Sequence, residues 1–186
     1  MINLINQYVS RLESVLKEAD WSPVEHLAQV LLEAVASHRQ VFICGNGGSA
    51  GNAIHLANDF LYGIEPGGDS LNVEALSANS AVLTCLGNDI GYDNIYAHQL
   101  KVKAKAQDVL IVLSGSGNSP NIVNALEVAN NLEMNTFAVL GYSGGKAKEL
   151  AQHPIHFAID DMQISEDLQM IVGHMLMQFM AEKLKK

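Results

Sequence analysis

Residues 41–55 read Val41-Phe42-Ile43-Cys44-Gly45-Asn46-Gly47-Gly48-Ser49-Ala50-Gly51-Asn52-Ala53-Ile54-His55. A short apolar run ends in a glycine-rich turn, and a helical pattern begins directly after that turn. This order predicts a buried strand, a tight loop and a helix N-terminus. Glycines let the backbone approach a ligand closely, and the first amide groups of a helix favour an anion, as does the helix dipole. We interpret the segment as a phosphate-binding turn in which Asn46 and Ser49 add side-chain donors.

A second strand and turn repeat this arrangement further along the chain. The apolar, β-branched run Val109-Leu110-Ile111-Val112-Leu113 predicts another buried strand, and it ends in Ser114-Gly115-Ser116-Gly117-Asn118-Ser119-Pro120. Ser119 suits the N-cap of a following helix, and Pro120 suits its first position. Hydroxyls and free backbone amides therefore collect at the end of this strand as well. Two such units together are a more specific signal for a phosphate site than either one alone.

Strand and helix patterns alternate along the 186 residues. Strands are predicted near 41–44, 71–76, 109–113, 136–140 and 155–159. Helices are predicted near 3–19, 22–37, 48–62, 80–86, 94–105, 120–132, 146–151 and 163–184, with a polar loop over 87–93. The alternation predicts an α/β fold in one domain, 1–186, with a parallel sheet of about five strands between two layers of helices. In such folds the ligand lies beyond the carboxyl ends of the strands, where both turns are placed.

Composition excludes several classes of protein. The net charge of −9, from 11 basic and 20 acidic residues, argues against binding to a nucleic-acid backbone. The N-terminus has neither a basic segment nor a long apolar core, so we expect no signal peptide, and no apolar run reaches the ~18 residues of a membrane span. The two cysteines, Cys44 and Cys85, form no CxxC motif. A reduced, cytoplasmic protein is the expectation.

Two pairs of residues are candidates for chemistry. His55 and Asp59 are four residues apart and share a helix face, which suits a metal site, proton transfer or an ordinary surface pair. Glu166 and His174 lie on the last predicted helix, and eight helical residues span ~12 Å. They are therefore too far apart to bind one small metal ion unless the helix starts late, and they would reach different ends of one substrate or sites in different subunits. His174 is flanked by apolar residues, so a buried core histidine is the competing interpretation.

A nicotinamide enzyme is an alternative that the residues leave open. Gly45-x-Gly47-x-x-Ala50 fits the dinucleotide fingerprint, and Glu74 follows in the next predicted strand. The serine-rich second loop is not part of that pattern and suits a phosphate monoester better. Asn88 and Asp89, in the predicted loop, either form a turn or contact substrate hydroxyls.

Four motifs resemble those of a known family. They are Cys44-Gly45-Asn46-Gly47-Gly48-Ser49, then His55, then Gly87-Asn88-Asp89, then Leu113-Ser114-Gly115-Ser116-Gly117-Asn118-Ser119. In this order they resemble the SIS (sugar isomerase) domain of the bacterial phosphoheptose isomerases, over nearly the whole chain. The resemblance implies a flavodoxin-like three-layer α/β/α sandwich and a homotetramer with active sites at subunit interfaces. It also implies isomerisation of sedoheptulose 7-phosphate to D-glycero-D-manno-heptose 7-phosphate through an enediolate, towards ADP-heptose for lipopolysaccharide or other surface glycans.

The resemblance also assigns residues. Substrate binding is implied for Asn46, Gly47, Gly48, Ser49, Asn88, Asp89, Ser114, Gly115, Ser116, Ser119 and Glu166. One zinc ion per subunit is implied, held by His55, Asp59 and His174, and catalysis by Asp59, His174 and Glu166. Asp59 stands where better-known members carry glutamate, and Glu166 where they carry glutamine, so either carboxylate is a candidate for the base that moves the carbon-bound proton.

Two other functions remain open at the level of sequence. The SIS fold also occurs in a non-catalytic relative that binds a replication initiator, and in other phosphosugar isomerases or sensors. A non-catalytic protein would lack a working acid–base set. Because His55, His174 and two carboxylates are retained, we favour the enzyme.

Overall fold

Five parallel strands form one sheet at the centre of the protein. The computed structural model describes residues 1–65, 67–68 and 70–185. The strands are β1 (Gln40–Gly45), β2 (Asn72–Ala75), β3 (Val109–Ser114), β4 (Asn135–Leu140) and β5 (His153–His156). Their order across the sheet is β2-β1-β3-β4-β5, and every neighbouring pair is parallel. The predicted α/β fold is confirmed, with the flavodoxin-like strand order.

Helices connect and cover these strands. Within the described residues they are α1 (Ile2–Glu18), α2 (Ser22–Ser37), α3 (Gly48–Asn58), α4 (Ser80–Asp89), α5 (Ile95–Lys103), α6 (Pro120–Asn131), α7 (Gly145–Leu150) and α8 (Met162–Leu184). A π-helical turn, Asp59–Gly63, continues α3, and a 3-10 turn, Tyr92–Asn94, precedes α5. None of the helices in the described part of the chain has the length and apolar character needed to cross a membrane.

The sheet separates two hydrophobic cores. Because side chains alternate across a strand, Val41 and Ile43 of β1 enter the core formed with α2, α3 and α8, whereas Phe42 and Cys44 enter the core formed with α5, α6 and α7. All four residues are almost completely buried. This two-sided burial explains why β1 reads as a continuous apolar run, and it produces the expected three layers.

Three boundaries differ from the sequence predictions. The predicted loop at 87–93 is wrong at its start, because α4 is capped by Asn79 and continues to Asp89 before Gly91 turns with φ +85°. The predicted helix 48–62 is divided between α3 and the π turn. The last strand is His153–His156 and not 155–159, because its register with β4 pairs Phe137 with His153 and Leu140 with His156.

Candidate active site

A cavity of about 100 Å³ opens at the carboxyl ends of β1 and β3, where the strand order reverses. Gly45 and Leu113 are register partners in these adjacent strands, so the two predicted phosphate turns meet there. We call this cavity the cradle. The residues that line it are Asn46, Ser49, Leu113, Ser114, Gly115, Ser116, Ser119, Met162 and Glu166. The position is the one at which open α/β sheets bind ligands.

The serine loop of the cradle is held by its own backbone and by the turn that follows β4. The Gly117 amide donates to Ser114 Oγ at 3.0 Å. Gly117 has φ +66°, and a Cβ there would lie 1.9 Å from the carbonyl oxygen of Gly144, so only glycine fits. Ser119 occupies the N-cap position of α6, but among the described residues its hydroxyl makes no capping bond. That hydroxyl therefore remains available to a ligand in the cradle.

Asn46 is fixed by two residues that sequence reasoning missed. Asn46 and Asn121 exchange a reciprocal pair of amide hydrogen bonds, both 2.8 Å, and the Tyr92 hydroxyl donates to Asn46 Oδ1 at 3.0 Å. Asn121 is almost completely buried. With Oδ1 accepting twice and one Nδ2 hydrogen used, the second Nδ2 hydrogen remains for a ligand. No spacing signal identifies Asn121 or Tyr92, because both reach Asn46 only through the tertiary fold.

Helices α3 and α8 run side by side in the same direction. Asn52 donates to the backbone oxygen of Glu166 and to Gln169 Oε1, both at 3.0 Å, and Gln169 donates to Ser49 Oγ at 3.0 Å. Gln169 is buried and satisfied in this way. These bonds hold the start of α8 against the start of α3, and so hold Glu166 beside the cradle.

Glu166 lies directly over the first residue of α3. A Cβ on Gly48 would lie 2.3 and 2.4 Å from the two carboxylate oxygens of Glu166, so glycine at this position gives the carboxylate its space. Glu166 therefore lies at the cradle end of the site. His174 lies about two helical turns further along α8, ~12 Å by helical rise. The two residues are therefore too far apart to belong to one metal-binding group, and their roles at different parts of a substrate stay a prediction.

A second group of side chains lies about two helical turns further along the same helix pair. His55 Nε2 is 3.2 Å from His174 Nε2 and 3.2 Å from Asp59 Oδ2, and His174 Nε2 is 3.5 Å from Asp59 Oδ2. The histidine side chains are about half exposed, at 52% and 46%, and that of Asp59 is 19% exposed. The structure thus brings together the three residues expected to bind metal, and the core interpretation of His174 is wrong.

These three side chains form a group that is able to hold a metal ion. One donor atom from each lies within 4.8 Å of the others. Two imidazole nitrogens and one carboxylate oxygen suit a divalent transition metal, and three protein donors leave a further position for substrate or water. Glu166 is not among the donors of this group.

Asn88 and Asp89 lie outside the cradle. They are exposed in the last turn of α4, where Asn88 donates to Asp89 Oδ1 at 2.8 Å. Cys85 contacts Asp89 Oδ2 at 3.5 Å, and this hydrogen bond raises the pKa of the thiol. Within one chain they are not brought to the cradle, and their role in substrate binding stays a prediction. Glu74, the candidate dinucleotide residue, forms an ion pair with Lys103 at 2.5 Å.

The chain is similar to known proteins in sequence and in fold. A family model described as SIS domain matches residues 5–141. The chain is similar to a phosphoheptose isomerase of Akkermansia muciniphila, 32% identical over 87% of this chain and 85% of the relative. It is also similar to a phosphoheptose isomerase of Aliarcobacter butzleri, 31% identical over 97% of each. The solved phosphoheptose isomerase of Francisella tularensis superposes with a TM-score of 0.91 at 26% identity, covering 97% of this chain and 98% of that structure.

Proposed function

This chain belongs to the SIS domain family, and we propose that it is a phosphoheptose isomerase, which converts sedoheptulose 7-phosphate to D-glycero-D-manno-heptose 7-phosphate. One observation carries the proposal: the cradle and the His–Asp–His group lie about two helical turns apart along one helix pair. The seven residue steps of α3 from Gly48 to His55 rise ~10 Å. This is about the length of an extended sugar phosphate, so the phosphate and the reacting carbons can be held at once.

The cradle fixes the end of the substrate that does not react. The hydroxyls of Ser114, Ser116 and Ser119 and the amide of Asn46 line it, and the N-terminus of α3 favours an anion. Binding of the phosphate there, at C7, places C1 and C2 near His55, Asp59 and His174. Positioning of this kind lowers the activation barrier because the entropy cost of bringing the reacting groups together is met when the substrate binds.

Isomerisation moves one carbon-bound proton and one hydroxyl proton. Asp59 takes a proton from C1 of the ketose, which gives an enediolate, and returns it to C2. The hydroxyl proton moves from O1 to O2, so that C1 becomes the aldehyde. His174 either carries this proton on a free imidazole nitrogen or, as a metal ligand, holds the ion that would polarise the two oxygens. Asp59 suits the role of base better than Glu166, because Glu166 lies at the phosphate end.

Zinc is part of this proposal, with one ion per subunit held by His55, Asp59 and His174. When bound, it supplies positive charge that polarises the substrate oxygens. Asp59 has two carboxylate oxygens, so one is able to face the metal while the other faces the carbon-bound proton.

We also propose a homotetramer with the active site closed at subunit interfaces. Two observations support it: the His–Asp–His group is partly exposed in a single chain, and α1 carries exposed apolar side chains at Ile2, Leu4, Ile5 and Val9. The two free cysteines support a reduced, cytoplasmic setting. The product would then feed ADP-heptose for lipopolysaccharide or another surface glycan.

Proton NMR of sedoheptulose 7-phosphate in D₂O, with purified protein, tests the proposal. We expect an aldose phosphate that carries deuterium at C2, formed faster when zinc is added. If a folded protein that binds the sugar phosphate produces neither aldose nor deuterium exchange, with or without zinc, the enzyme assignment fails and a binding protein takes its place.

A further inference from the structure

The cradle already contains an anion of its own. Both carboxylate oxygens of Glu166 lie over Gly48, at the first turn of α3, and Glu166 is one of the residues that line the cavity. The backbone amides at a helix N-terminus and the positive end of its dipole stabilise a carboxylate in the same way as they stabilise a phosphate. Glu166 thus lies where the phosphate of a substrate would be bound.

No cation compensates for this charge within the cradle. Among the described residues that line it, Glu166 carries the one charged side chain, and the polar remainder are asparagine and serine. A phosphate monoester carries up to two negative charges at neutral pH. Two like charges about 5 Å apart repel each other substantially even at the effective dielectric of a partly exposed site.

A hydrogen bond from Asn52 holds the backbone of Glu166 in place beside the cradle. Asn52 holds the backbone oxygen of Glu166 at 3.0 Å, and the same amide is tied to the buried Gln169. A ligand that enters the cradle therefore displaces the carboxylate by rotation of the Glu166 side chain, while α8 stays in place.

We propose that Glu166 is an internal anion that the substrate phosphate must displace, and that it determines how weakly the cradle holds phosphate. The inference rests on the proposed function, since it takes the cradle to be the phosphate site. Its consequence for the reaction is a raised KM and faster release of a phosphorylated product. The Glu166 carboxylate repels a doubly charged phosphate more strongly than a singly charged phosphate ester. Glu166 therefore also contributes to the choice between these two kinds of ligand.

Binding of inorganic phosphate to the full chain, measured by titration calorimetry, tests this inference. We expect Glu166→Gln to bind phosphate about tenfold more tightly than the wild type, because one like charge is removed. Glu166→Asp keeps the charge but withdraws it by one methylene, and an intermediate affinity is expected. Asp160→Asn is the matched control, because this exposed residue lies shortly before α8 and loses the same charge; its phosphate affinity should stay within about twofold of the wild type.

The possible outcomes separate this inference from the proposed function. If the wild type isomerises sedoheptulose 7-phosphate but folded Glu166→Gln binds phosphate no more tightly than the wild type, the internal-anion role is overturned and the isomerase stands. An equal gain in Asp160→Asn also overturns it, since the effect would then be one of net charge. If no variant binds phosphate and the wild type does not isomerise, both proposals fail together.

Discussion

Gly173 of α8 packs so closely against Leu56 of α3 that a Cβ on Gly173 would lie 2.1 Å from Leu56 Cδ2. The next residue along α8 is His174, and the residue before Leu56 is His55. The contact between Gly173 and Leu56 therefore sets the separation of the two helices at the point where the histidine nitrogens approach to 3.2 Å. The geometry of the His–Asp–His group and the packing of the two helices therefore depend on the same contact.

Gly173→Ala should weaken both stability and metal binding. The added methyl group has to push Leu56 aside, and overpacking of this kind costs about 1–3 kcal/mol. Gly51→Ala is the matched control, because a Cβ at Gly51 on α3 meets no atom within 4 Å; there the better helix propensity of alanine should add about 0.5–1 kcal/mol. Urea unfolding and zinc titration measure the two effects. A Gly173→Ala protein with wild-type stability and zinc affinity would contradict the role given to this contact.

Asn121→Ala should raise KM more than it lowers kcat. Without the reciprocal amide pair, Asn46 loses the partner that fixes its orientation in the cradle. We expect a loss of about 1–2 kcal/mol in substrate binding, which raises KM roughly five- to thirtyfold. Steady-state kinetics measure the effect. Asn131→Ala, at the exposed end of the same helix, controls for loss of an asparagine from α6. A fall in kcat at unchanged KM would show that Asn121 does not act through substrate positioning.

Asp59→Asn should abolish the carbon-bound proton transfer. An amide is unable to act as the base, so turnover should fall by a factor of about 10²–10⁴, whereas Glu166→Gln should still exchange deuterium into the product. The rate of deuterium incorporation from D₂O measures both. If Glu166→Gln loses exchange and Asp59→Asn retains it, the two carboxylates have the opposite roles.

Asp161 should contribute to stability at neutral pH and not in acid. The Ile164 amide donates to Asp161 Oδ1 at 3.0 Å at the start of α8, and Arg11 of α1 forms an ion pair with Oδ2 at 2.5 Å. The hydrogen bond from the Ile164 amide is the main cause that lowers the pKa of Asp161 below its usual 3.8. A depressed carboxyl pKa stabilises the folded state above the unfolded pKa, and this stability is lost as pH falls through the folded pKa.

Two variants test that pH dependence. Asp161→Ala should cost about 1 kcal/mol at pH 7 from the lost cap, and its difference from the wild type should shrink as pH falls below 3.8. Asp160→Ala, which removes the neighbouring exposed acid, should change stability far less. Urea unfolding at pH 7 and at pH 3 gives both differences. A gap between Asp161→Ala and the wild type that stays constant down to pH 3 would exclude ionisation of Asp161 as the cause.

The sequence predicted the sheet well because its strands are buried on both faces. β1 and β3 read as apolar runs that end in glycine and serine, and the structure confirms them at Gln40–Gly45 and Val109–Ser114. The last strand was misplaced because the apolar pattern of 155–159 gives no information on hydrogen-bond register, which β4 determines. The 87–93 segment was misread because its glycine and asparagine content predicts a loop, whereas the Asn79 cap extends α4 through Asp89.

The sequence predicts the parts of the candidate site whose residues are close together in the chain. It does not reveal contacts between residues on distant elements. His55 and Asp59 are found by helical spacing, since four residues bring them onto one face. The contact of His55 with His174 spans 119 residues of sequence, and only the resemblance to a family linked them. Asn121 and Gln169 were missed for the same reason, because each acts through a partner on another element.

The pairing of α3 and α8 sets the distance between the cradle and the His–Asp–His group. Both parts of the site lie on these two helices. The number of helical residues between the parts therefore fixes their separation, and the flexibility of a loop does not. Adding or deleting one residue between Gly48 and His55 would rotate the imidazole by about 100° around the axis while changing the separation by only ~1.5 Å. Only an insertion or deletion of about one whole helical turn would keep the His55 imidazole on the face of α3 that meets α8. If the site binds a sugar phosphate as proposed, the sugar length that fits between its two ends can therefore change only in steps of about one helical turn.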